Sequence, residues 1–124
     1  LFGDFARKLG DAGSIKNDIE DFLNDGNYEP FCTDIRLGSL TYPIYYYFSQ
    51  CDEKEKDEFL KLFGKNKNAD YSKLRQSILS KNTVEHCIEK INTLVGASIR
   101  LLEELANCVE KDMLTAWAEY HRID

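Results

Sequence analysis

The chain has no long apolar run. Its wholly hydrophobic stretches last only a few residues, too short to cross a bilayer. It also lacks the basic segment followed by an apolar core that marks a secretory signal, so the expected location is cytoplasmic. Histidine is scarce: His86 and His121 stand far apart, separated by most of a helix, and no nucleophile pair is read around them. Both read as exposed or core-edge side chains. The four cysteines, Cys32, Cys51, Cys87 and Cys108, form no CxxC pair. That excludes a zinc ribbon or a dithiol redox motif and leaves reduced core thiols. Positive charge is in deficit, with Lys+Arg 16 against Asp+Glu 22 and a net charge of −6, which argues against nucleic-acid partners. A phosphate bound here needs a metal ion or a local basic cluster.

What the chain does have is helical periodicity. A length of 124 residues with 43% hydrophobic content suits one domain with its own core, and residues 1–124 read as a single helical unit. Over residues 2–23, Phe2, Phe5, Ala6, Leu9, Ala12, Ile15, Ile19 and Phe22 step by three and four along one stripe. Residues 24–39 carry turn and breaker residues without periodicity and are expected to be a loop. Residues 40–51 follow, with Thr41 as a possible N-cap and Pro43 in the first turn. The aromatic run Tyr45-Tyr46-Tyr47-Phe48 has strand propensity, but no second strand signal exists to pair with it, so helix is preferred.

Residues 52–63 open on a capping acid and close at Gly64, with Phe59, Leu60 and Phe63 forming a short apolar face; residues 70–79 turn Tyr71, Leu74 and Ile78 inward. The acids of residues 52–58 read as a solvated face. One long helix is expected from a Thr83 cap through Ala106, with a weakening at Asn107. A last helix over residues 109–120 should bury Met113, Leu114, Trp117 and Tyr120. The fold class is all-α, a helical bundle. The chain opens on Leu1, inside an amphipathic pattern with no cap before it, so we expect part of something longer.

Chemistry concentrates in Ser14-Ile15-Lys16-Asn17-Asp18-Ile19-Glu20-Asp21. Asp18 and Asp21 are three apart, so on a helix they share a face and can both reach one divalent ion. Asn17, beside that face, can add a neutral carbonyl oxygen. Magnesium favours few carboxylates together with water and substrate phosphate, which suits such a pair. The ordinary meaning of acids near a helix end is a solvated face.

A resemblance sharpens this reading. Residues 9–21, Leu9-Gly10-Asp11-Ala12-Gly13 leading into the run above, resemble the second aspartate-rich motif of the polyprenyl (isoprenyl diphosphate) synthases. Asp34-Ile35-Arg36-Leu37-Gly38-Ser39-Leu40-Thr41-Tyr42-Pro43 resembles the segment that follows it in that family, where an acidic-aliphatic pair leads through a glycine to a Thr-x-Pro helix start. The resemblance implies a helical bundle of the isoprenoid synthase type, of which this chain is the C-terminal portion.

It also implies a magnesium-dependent prenyltransferase. The allylic diphosphate ionises to a carbocation to which isopentenyl diphosphate adds, giving a longer isoprenyl diphosphate. Carried over, Asp18 and Asp21 are the catalytic Mg2+ ligands with Asn17 beside them, and Ser14, Lys16 and Arg36 fall where substrate binds. Implied partners are the two diphosphates, an N-terminal half bearing the first aspartate-rich motif, which these residues do not contain, and a second subunit in a homodimer. The Tyr45–Phe48 aromatics can line an isoprenoid tunnel or, more simply, fill the bundle core.

The sequence departs from the motif at four places. Asn17 stands for an aspartate, Ser14 for a glutamine, Gly13 for a bulky aromatic and Ser39 for a diphosphate-binding lysine. These departures keep two alternatives in view: a catalytically weakened or regulatory subunit of a prenyl synthase, and a plain helical interaction domain.

Overall fold

The computed structural model describes residues 2–23, 32–65, 71–103 and 109–123. Among them every regular element is a helix: α1 (Phe2–Leu23), α2 (Thr33–Leu37), α3 (Tyr42–Gln50), α4 (Glu53–Leu60), α5 (Ser72–Ser80), α6 (Thr83–Leu102) and α7 (Val109–Tyr120). The fold class is all-α, a helical bundle, as the 3.6-residue periodicity predicts. No helix among the described residues is long and apolar enough to cross a membrane. The helices gather into two compact units, Leu1–Lys16 with His86–Asp124, and Asn17–Glu85.

In the first unit, Phe5, Leu9 and Ala12 of α1 and Ile91, Val95 and Leu102 of α6 are buried. The Phe5 ring lies 6.0 Å from that of Trp117. The Asn92 amide donates to the Ile123 carbonyl at 2.7 Å and accepts the Ile123 N–H at 2.8 Å, pinning the segment after α7 to α6.

The stripe predicted for α7 packs only in part: Leu114 is half-buried and Trp117 meets Phe5. Met113, Trp117 and Tyr120 are exposed, the last by 78%, and the buried residue is Ala118. Periodicity reports that one face is apolar, whereas neighbouring helices decide which face is covered, and the small Ala118 allows close approach. Phe2 and Ala6, expected in the α1 stripe, are also exposed.

The second unit is built on Phe22, Ile35, Ile44, Tyr47, Phe59 and Ile78. Of the aromatic run in α3, Tyr47 is buried and Tyr45 is exposed. Pro43 sits in the first turn of α3 and Thr41 is its N-cap, but the Thr41 hydroxyl makes no capping bond. α4 starts with a capping box: Asp52 accepts the Glu55 N–H, and Glu55 accepts the Asp52 N–H. The acidic run there therefore caps as well as solvates.

Three boundaries differ from expectation. The predicted loop contains α2, five residues long, too short for a periodic signal. Thr83 is the first residue of α6 rather than the residue before it, and its hydroxyl donates to the Ile78 carbonyl at 2.7 Å. α6 ends at Leu102, and Leu105, Ala106 and Asn107 lie outside the described residues. Cys32, Cys51 and Cys87 are buried and in no disulfide; Cys108 lies outside the described residues.

Candidate functional site

On the last turns of α1, Ile19 and Phe22 are buried, which sets Asp18 and Asp21 at the rim of the core, each half-buried, while Asn17 and Glu20 are exposed. Asp21 then does something the sequence does not announce. Its carboxylate accepts the Thr33 N–H at 2.9 Å and the Asp34 N–H at 3.2 Å, one on each oxygen. These are donors that the first turn of a helix leaves without an internal partner. Cys32, the formal N-cap of α2, makes no side-chain cap bond and sits in the left-handed region with φ 58°. Asp21 supplies the cap from another helix.

The far end of α2 is fixed as well. Gly38, with φ 75°, donates its N–H to the Ile35 carbonyl while Ser39 donates to Asp34, a Schellman-type closure. Gly64 donates to the same Ile35 carbonyl at 2.7 Å. A Cβ built on Gly38 would lie 3.1 Å from the Gly64 Cα, so the two glycine backbones need to be bare to approach.

Electrostatics link the acids. Burial, then the Asp21 charge, raises the Asp18 carboxyl above its usual range; burial, then Asp21 and Asp18, raises that of Asp34. Burial, then Asp21, pushes the Cys32 thiol up to about 12 against the opposing pull of Arg36 and Arg75. Two cations therefore border the acidic face. The Arg36 guanidinium lies over the Tyr71 ring, with Cζ 3.8 Å from the centroid. Arg75 Nε donates to the Phe22 carbonyl at 2.6 Å, tying α5 to the end of α1.

Each Asp21 oxygen gives one lone pair to a backbone N–H and keeps another, so the carboxylate is oriented without being used up. After burial and Asp21, the Asp18 charge also adds to the rise at Asp34. Among the described residues no group of three or more His, Cys, Asp or Glu side chains is placed to hold a metal ion.

Of the sequence-predicted residues, Asp18, Asp21 and Arg36 fall in the second unit, Asp21 at the head of α2 and Arg36 in its last turn. Asn17 belongs to the same unit, on the solvent side of α1. Ser14, exposed, and Lys16, half-buried, precede them on α1 and belong to the first unit. Sequence reasoning passed over Asp34 as part of the acidic set although it heads the second motif. Tyr71 and Arg75 carry no sequence signal at all. A groove of about 580 Å3 in the second unit, with Tyr47, Glu55, Lys73 and Ser77 in its walls, includes none of the motif residues.

Set against known proteins, the chain has no match among family models, curated proteins or solved structures.

Proposed function

We propose that this chain is the C-terminal, magnesium-holding part of an isoprenyl diphosphate synthase. Such an enzyme is a prenyltransferase that condenses an allylic diphosphate with isopentenyl diphosphate. One observation carries the reading: the two motifs recognised separately in the sequence are joined, because Asp21 of the first accepts N–H bonds from Thr33 and from Asp34, which heads the second.

In this reading Asp18 and Asp21 hold Mg2+, with Asp34 at their side. Magnesium, when bound, neutralises the negative charge that grows on a departing diphosphate without needing a proton transfer. The chain's own contribution is orientation. The backbone of α2 fixes the Asp21 carboxylate, and Arg36, two residues beyond Asp34, contributes a fixed positive charge for phosphate oxygens. Asn17 offers a neutral oxygen where the motif has a charge, and the opposing metal-holding helix comes from an N-terminal half bearing the first aspartate-rich motif.

The test is turnover. The parent protein, given magnesium, an allylic diphosphate and isopentenyl diphosphate, should release a longer prenyl diphosphate. Asp18→Ala should lower that rate by about 100-fold or more with helicity intact. Absence of product with every allylic chain length tried would sink the enzyme reading. Asn17 and Ser39, both exposed and uncharged where the motif carries charge, favour a second reading as a catalytically weakened or regulatory subunit. That subunit would bind magnesium and diphosphate without turning over. A plain interaction domain would show neither turnover nor any rise in melting temperature with magnesium and a diphosphate analogue.

A further inference from the structure

No further inference is drawn: the strongest candidate, the exposed apolar face of α7 formed by Val109, Met113, Trp117 and Tyr120, carries nothing because nothing in the structure shows what covers it.

Discussion

Asp21 shows how one side chain can carry two roles through separate lone pairs. As a cap for α2 it receives two backbone donors, and as a member of the acidic face it contributes charge that raises Asp18 and Asp34. Removing the cap bonds with Asp21→Ala should destabilise the chain by about 1–2 kcal/mol in chemical denaturation, with faster amide exchange at Thr33 and Asp34. A variant as stable as the parent would show that α2 does not depend on this cap. The Cys32 thiol, raised to about 12 by burial and the neighbouring carboxylate, should resist alkylation at pH 8 until the chain is denatured. Rapid labelling of native Cys32 in a mass-spectrometric time course would contradict that environment.

At the scale of elements, α2 is a five-residue strut that could not persist alone, since a single helical turn is below the length at which helices propagate. Its stability is borrowed at both ends: from Asp21 at the head and from the Gly38–Gly64 approach at the tail. Gly38→Ala places a Cβ in a left-handed residue and against the Gly64 backbone. It should cost about 2 kcal/mol or more, read as a fall in denaturation midpoint. A neutral Gly38→Ala would mean that the two backbones can part without consequence. α3 and α4 are different in kind. Their starts are written locally, in Pro43 and in the reciprocal Asp52–Glu55 bonds, and so were legible before any tertiary contact was known. α7 lies between these cases, its existence readable from spacing and its covered face not, because the choice between Ala118 and the Met113–Trp117–Tyr120 stripe is made by the helices around it.

For the molecule as a whole, the acidic face makes stability depend on pH in a direction opposite to the usual carboxylate. Asp18 and Asp34 have folded-state pKa values raised above the ordinary aspartate range, so the folded chain binds more protons than the unfolded one between the ordinary values and the raised ones. Their contribution to stability therefore falls as pH rises through that window and is fully unfavourable at neutral pH. Glu55, lowered chiefly by the Asp52 N–H and then by Lys81, acts the other way, losing stability as pH falls through its own range. Asp18→Asn isolates the first effect: it should raise the melting temperature at pH 7 and reduce its decline between pH 4 and pH 7. Magnesium should raise the melting temperature of the parent at pH 7 and do so less in Asp18→Asn. A magnesium response of equal size in both would remove Asp18 from the cation site.

What the sequence determined by itself is whatever depends on nearest neighbours along the chain: the all-helical class, the starts of α3 and α4, the shared face of Asp18 and Asp21, and the absence of thiol pairing motifs. Tertiary structure decided the matters that require two distant segments to meet. It placed Asp34 among the acids, gave Asp21 the head of α2 to cap, laid Arg36 on Tyr71 and chose the buried face of α7. The division follows from the range of the forces. Helical periodicity and capping act within a few residues, whereas desolvation, charge coupling and ring stacking depend on which surfaces the folded chain brings within a few ångströms.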